Sequence, residues 1–347
     1  MNPLPAPNRF ENEEELEEFM TRPSAGLIED LSKMEGDLIL LGVGGKMGPT
    51  LARLAKRALL EAGNSNRVIG VSRFSNPAHR ETLEQFEVET ISCDLLDPDA
   101  VHQLPDAPNV IFLVGMKFGT TGSEAKTWAV NTITPSNMAR RYEQSRIVAL
   151  STGNVYPLTE VSSGGPTERD LVGPVGEYAQ SALARERVFQ YFSEENGIPM
   201  AIIRLNYAID VRYGVLLDIG KKVLAGHPID LTMGYANVIW QGDANKRILR
   251  SLRHCASPPE VINLTGTQAI SVREAAVEFG RRMEQSPIFV GEESESALLS
   301  NASKYAKLFG EPETRVDRMI GWIAEWLKQG GETLDKPTHF ETRDGKF

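Results

Sequence analysis

The sequence predicts a doubly wound α/β fold, a parallel sheet covered on both faces by helices, with a smaller C-terminal lobe behind it. Three observations carry this. Short apolar runs alternate with helical stretches from Asp37 to about residue 205, a glycine-rich turn joins the first run to the first helix, and the alternation weakens after residue 206. Strands buried on both faces read as near-continuous apolar runs, and alternation with helices makes them parallel. A chain of 347 residues accommodates a large domain and a smaller one.

Residues 11–35 mix Glu11, Glu13, Glu14, Glu15, Glu17 and Glu18 with Leu16, Phe19, Leu27, Ile28 and Leu31. That pattern predicts short amphipathic helices with a solvated acidic face. We read 1–36 as an N-terminal helical extension packed on the domain that follows. Within 37–205, strands are predicted at 38–43 and 67–72, with a helix at 49–62 between them, and a third strand ends near Asp94. Strands at 109–114 and 146–151 flank a helix at 124–143, and a helix at 177–196 leads into a strand at 199–205. Residues 206–347 form mainly the smaller lobe. There, Ser271 and Glu274 make a capping-box pattern ahead of Ala275, Ala276, Val277 and Phe279. A second helix, at 314–329, places Val316, Met319, Ile320, Ile323 and Leu327 on one face and stops at Gly330-Gly331.

Composition excludes several classes. A net charge of -10 argues against an extended nucleic-acid surface, which needs clustered Lys and Arg. Cys93 and Cys255 are read as buried thiols, since neither belongs to a CxxC pair, and the five histidines are scattered, so no metal site is expected. The start Met1-Asn2-Pro3-Leu4-Pro5 is unlike a signal peptide, and no apolar run approaches the roughly 20 residues of a membrane span. A cytoplasmic protein without a membrane partner is expected.

Gly42, Gly45 and Gly48 form GxxGxxG directly between an apolar strand and a helix beginning near Pro49. Glycines allow a tight turn, close approach to a pyrophosphate and close packing of helix on strand, while the helix N-terminus offers unpaired N–H groups. This predicts a Rossmann-type site for NADP or NAD, with Lys46 and Met47 on the same loop. The second strand ends Val71-Ser72-Arg73. Ser72 stands where folds that prefer NAD carry an acid, and the planar fork of Arg73 suits a 2′-phosphate, which tips the expectation towards NADP.

Further motifs follow in order: Cys93-Asp94-Leu95, Gly115-Met116-Lys117, Asn131, the run from Ser151 through Thr152 to Tyr156, Tyr178-Ala179-Gln180-Ser181-Ala182, and Ser271-Val272-Arg273-Glu274. Over about residues 37–330 this series resembles the extended short-chain dehydrogenase/reductase family, the group that contains NAD-dependent epimerases and dehydratases of nucleotide sugars. The resemblance implies that Asp94 and Leu95 lie near the adenine and Gly115 beside the cofactor. It implies that Tyr178 is the acid/base and also meets the cofactor, with Thr152 as its hydroxyl partner. Asn206 and Tyr207 follow the sixth strand, where relatives touch the nicotinamide and the substrate. The implied substrate is a sugar or nucleotide-sugar hydroxyl or carbonyl, and the implied assembly is a homodimer through the helices at 124–143 and 177–196.

One departure stands out. The family pattern is YxxxK, and the lysine position is Ala182. A phenol titrates near 10, so holding a phenolate at pH 7 unaided costs roughly 4 kcal/mol, about a thousandfold. Lys117, at the carboxyl edge of the sheet, is the preferred replacement cation. Arg185 is the second candidate, on the same helix face as Tyr178 but about 10 Å further along. Gly153-Asn154 stands where the family's 4,6-dehydratases carry an Asp-Glu pair, which disfavours dehydration and leaves epimerisation or oxidation/reduction. Arg212, Lys221 and Lys222 are candidate contacts for substrate phosphates. The alternative function is a non-catalytic NAD(P)-binding redox sensor or regulator.

Overall fold

The apolar runs pair into one parallel sheet. The computed structural model describes residues 6–116 and 122–345. Its main strands are β1 (Leu38–Leu41), β2 (Val68–Ser72), β3 (Glu89–Ser92), β4 (Asn109–Phe112), β5 (Arg146–Thr152), β6 (Met200–Leu205) and β7 (Glu260–Leu264). They lie in the order β7-β6-β5-β4-β1-β2-β3, every pair parallel. Strand order reverses between β1 and β4, and in open α/β sheets the crevice outside the carboxyl ends at that point takes the ligand.

The helices that matter here are α1 (Glu13–Met20), α2 (Ala25–Ser32), α3 (Gly48–Glu61), α4 (Glu124–Arg141), α5 (Gly176–Asn196), α6 (Val215–Ala225), α7 (Gln241–Arg250), α8 (Val272–Met283) and α9 (Val316–Lys328). Side chains alternate across a strand, so β1 serves two cores. Leu38 and Leu40 pack with Leu51 and Leu54 of α3 and Leu249 of α7. Ile39 and Leu41 face the other way, with Met138 of α4 and Phe189 of α5, whose ring meets Phe112 edge-on at 5.1 Å. The edge strand β3 has no fully buried residue, as expected where solvent replaces a neighbour.

The second lobe packs α6, α8 and α9 around Trp240, Phe279 and Trp322. Ser271 caps α8 by accepting the Glu274 N–H at 3.2 Å, and Gly330 follows α9 in a left-handed conformation. After residue 205 the chain does not stay in this lobe. Ile248 and Leu249 of α7 join the core under β1, and β7 extends the main sheet beside β6. No described helix is long and apolar enough to cross a membrane.

The acidic face at and just before α1 is solvated at Glu11, Glu13, Glu14 and Glu15, as expected, but it also makes ion pairs with other elements. Glu18 pairs with Arg53 and Arg57 of α3 at 2.9 and 2.8 Å, while Glu13 and Glu17 hold Arg212 at 2.8 and 3.2 Å. The partners lie far away in sequence, so local periodicity contains no trace of them. On the opposite side, Phe10 and Phe19 join Trp240 and Trp322 in an aromatic cluster. The extension thus clasps both lobes.

Candidate active site

The glycine loop separates what the chain needs from what a ligand needs. Gly42 has φ +90°, and a Cβ there would stand 2.8 Å from Val114. At Gly48 a Cβ would lie 2.1 Å from the Val43 carbonyl oxygen, so this glycine lets α3 pack on the loop. Gly45 is different. A Cβ there would meet only the Gly42 oxygen, at an ordinary 3.5 Å, and the residue is exposed at the N-terminal end of α3. Among the described residues, none stands close enough to require that Gly45 lack a side chain. The open space at the approach to the N-terminus of α3 fits a pyrophosphate.

Two adjoining clefts open at this edge, and Gly42, Gly45, Leu113 and Gly115 line both. The first, about 480 Å³, is bounded by Ser72, Arg73, Asp94 and Leu95. Asp94 shapes its floor by accepting the Leu96 N–H at 3.1 Å, and a Cβ on Gly44 would stand 2.5 Å from the Ser72 hydroxyl. The second cleft, about 380 Å³, holds Lys46, Met47 and Gly48 on one side and Thr152, Tyr178, Asn206 and Tyr207 on the other. The chain therefore gathers the expected residues, among those described, into one continuous groove. Its first half suits an adenosine and its second half a nicotinamide with a substrate.

Local structure explains the second cleft. Thr152 ends β5, with its hydroxyl donating to Asn154 Oδ1 at 3.0 Å and accepting the Asn154 N–H at 3.2 Å. Tyr178 sits in the first turn of α5, which a hydrogen-bond relay holds in place. Asn131 of α4 accepts the Met116 N–H at 3.2 Å and donates to Ser181 at 2.8 Å, and Ser181 donates to the Tyr178 carbonyl at 2.9 Å. Asn206 borders the cleft and is buried, and its Nδ2 has no hydrogen-bond partner among the described residues. Gly153 packs 3.0 Å, measured to a built Cβ, from both Asn206 and Ser300, so an acidic side chain there would need both to shift. Burial pushes the Tyr207 and Tyr213 phenols above their ordinary value, which keeps both as hydroxyl donors.

Sequence reasoning missed part of the lining. Tyr213, Leu334 and Lys336 border the second cleft. The last two arrive because the C-terminal segment folds back, with the Leu334 N–H donating to the Arg212 carbonyl at 3.0 Å. Lys46 leans away from the glycine loop, donating to the Ala208 carbonyl at 3.2 Å and lying 4.3 Å from the centre of the Tyr213 ring. No local pattern announces these long-range contacts. Arg212, Lys221 and Lys222, expected to meet substrate phosphates, line neither cleft. Asp210, Glu13 and Glu17 hold Arg212, Asp335 holds Lys221, and Glu341 holds Lys222. Lys117 lies outside the described residues. Ala182 is buried against Val155 and Tyr156. Burial pushes both thiols up, Cys255 to about 12. Among the described residues, no group of three or more His, Cys, Asp or Glu side chains is placed to hold a metal ion.

Sheet order, the glycine loop and the groove that they line together define a Rossmann-type α/β fold. Residues 38–209, just under half of the chain, match the model of the NAD dependent epimerase/dehydratase family. No curated protein matches its sequence significantly. Solved structures match its fold. Pal from Bacillus thuringiensis is 19% identical with a TM-score of 0.69, over 84% of this chain and 99% of that one. The UDP-glucose 4-epimerase of Thermotoga maritima, solved with UDP-glucose, is 14% identical with a TM-score of 0.68, over 85% and 99%. The UDP-glucuronic acid 4-epimerase of Bacillus cereus, solved with UDP-glucuronic acid and NAD, is 18% identical with a TM-score of 0.69, over 84% and 99%.

Proposed function

We propose that the chain is an NAD(P)-dependent epimerase or oxidoreductase acting on a sugar or nucleotide-sugar hydroxyl or carbonyl. The observation that carries this reading is the convergence of Thr152, Tyr178 and Asn206 on one cleft that continues into the glycine loop. The loop and the N-terminus of α3 hold the pyrophosphate, Asp94 and Leu95 border the adenine, and Ser72 with Arg73 meets the adenosine ribose. Arg73 makes NADP the preferred form; the Bacillus cereus structure, in contrast, contains NAD. When bound, the nicotinamide supplies a hydride acceptor or donor. Tyr178 moves the proton of the reacting hydroxyl, Thr152 donates to or accepts from the same oxygen, and the unpartnered Asn206 amide orients the substrate. Residues after about 206 set substrate choice. The same reading places the enzyme in the cytoplasm as a homodimer, paired over exposed Ile133 of α4 and Tyr191 of α5.

The test is binding of NADP and NAD by calorimetry, followed by product analysis across a panel of UDP- and dTDP-sugars. Tyr178→Phe is expected to lower turnover about 10²–10⁴-fold with little change in cofactor affinity. Full turnover in that variant sinks the assignment. A second reading, a non-catalytic redox sensor, draws on Ala182, whose small buried side chain provides no cation one turn after Tyr178. Tight cofactor binding without turnover on any panel member would favour it.

A further inference from the structure

Arg185 is buried in a way that the protein's other deep arginines are not. Its side chain is 4% exposed, Nη1 donates to the Val114 carbonyl at 2.6 Å, and Nε has no hydrogen-bond partner. Among the described residues no carboxylate forms an ion pair with it. Arg204, equally buried, pairs with Glu186 at 2.7 Å, and Arg212 has three acids around it. An unpaired buried charge is expensive, and a chain retains one where something else uses the charge.

The position says what that is. Helical side chains lean towards the N-terminus, so Arg185 reaches back along α5 towards Tyr178 and the end of β4. A Cβ on Gly115 would stand 2.5 Å from Nη1, so the guanidinium occupies the space that Gly115 leaves open. Gly115 lines both clefts, and Arg185, which lines neither, stands directly behind it. Burial holds the guanidinium below its ordinary value, and interaction with Tyr178, then Glu186, draws it back.

We propose that Arg185 is the positioning residue that eases ionisation of the Tyr178 phenol, acting from two turns along α5 in place of a lysine at position 182. The inference rests on Tyr178 as the acid/base. Among the described residues, the other ionisable groups lining the cleft are Lys46 from the glycine loop, Tyr207 and Tyr213 from the second lobe, and Lys336 from the C-terminal segment. Glu177, next to Tyr178, turns instead to Trp128, whose indole N–H donates to it at 2.5 Å.

The experiment titrates the full chain, without cofactor, by NMR of tyrosines labelled with ¹³C at Cζ, the Tyr178 signal being assigned by its loss in Tyr178→Phe. Arg185→Gln is expected to raise the Tyr178 titration by about one pH unit or more, Arg185→Lys to raise it less, and Ala182→Lys in the Arg185→Gln background to bring it back. Should Arg185→Gln fail to fold, Gly115→Ala decides. Its methyl displaces the guanidinium without removing the charge and moves the titration in the same direction. An unchanged titration in whichever of these variants is folded overturns the proposal, as does a rise confined to Lys46→Met. Because no cofactor or substrate is present, a failure of NADP and NAD to bind would count against the proposed function alone.

Discussion

Glu186 of α5 and Arg204 of β6 form a buried ion pair, Nη2 to Oε2 at 2.7 Å, directly behind the Thr152 and Tyr178 side of the cleft. Ser151 donates to the same carboxylate, and Arg204 Nη1 donates to the Tyr156 hydroxyl at 2.7 Å. Tyr156 donates in turn to Asn263 of β7 at 2.8 Å, so one network ties β5, β6, β7 and α5 together. Removing one member leaves a buried charge without its partner, which costs about 3–5 kcal/mol. Glu186→Gln is expected to lose that much stability in urea unfolding, and Glu186→Gln with Arg204→Met to lose less than the two single losses combined. Additive losses would show that the pair is not coupled.

The glycines of the loop should divide cleanly. Gly48→Ala forces a methyl to within 2.1 Å of the Val43 carbonyl and is expected to destabilise the fold by about 1–3 kcal/mol or prevent folding. Gly45→Ala meets nothing closer than 3.5 Å, and is expected to leave the unfolding midpoint within about 0.5 kcal/mol of wild type. Its cost appears in cofactor affinity instead, at least about tenfold, or 1.4 kcal/mol. Calorimetry and thermal unfolding of both variants separate the two effects. Unchanged affinity in Gly45→Ala would remove the pyrophosphate from this loop.

The fold was legible because the strands between Leu38 and Leu205, the polar edge strand β3 apart, announce themselves as apolar runs with helices between them. The groove was legible because its residues lie at strand ends: Ser72 closing β2, Gly115 after β4, Thr152 closing β5, and Asn206 after β6. What stayed hidden depends on reach. Arg185 reads as a residue too far along its helix until its lean towards Val114 is seen, 71 positions away in sequence. Glu13, Glu17 and Glu18 look like a wet helix face because Arg53, Arg57 and Arg212 belong to other elements. Tyr213 and Lys336 carry no periodic signal, since it is the folding back of two separate segments that brings them to the cleft.

Arg73 gives the cofactor preference a direct test. It is exposed at the end of β2 and borders the first cleft together with Ser72 and Ser75. A guanidinium holding a 2′-phosphate contributes a charge-assisted bond that NAD cannot form, worth about 1.5–3 kcal/mol. Arg73→Ala is expected to weaken NADP binding about tenfold or more and leave NAD binding within about twofold. Equal losses for both cofactors would show that Arg73 does not read the 2′ position.

The N-terminal segment is expected to be required for stability, and Phe10 tests this with a single side chain. Its ring lies 5.0 Å from Trp322 and 6.2 Å from Trp240, stacked within 7° on the latter, and is 1% exposed. The Pro7 carbonyl accepts the Trp322 indole N–H at 2.8 Å, so the segment's backbone is anchored on the same aromatic cluster. Truncating a buried Phe costs about 3–5 kcal/mol through lost burial and the cavity left behind. Phe10→Ala should therefore lower the denaturant midpoint strongly and shift the emission of Trp240 and Trp322 to the red as water enters. Glu18→Gln affects the ion pairs with Arg53, Arg57 and Arg22, partly exposed on the glutamate side, and is expected to cost about 1 kcal/mol or less. A Phe10→Ala variant as stable as wild type would mean that the extension rests on the two lobes without holding them together.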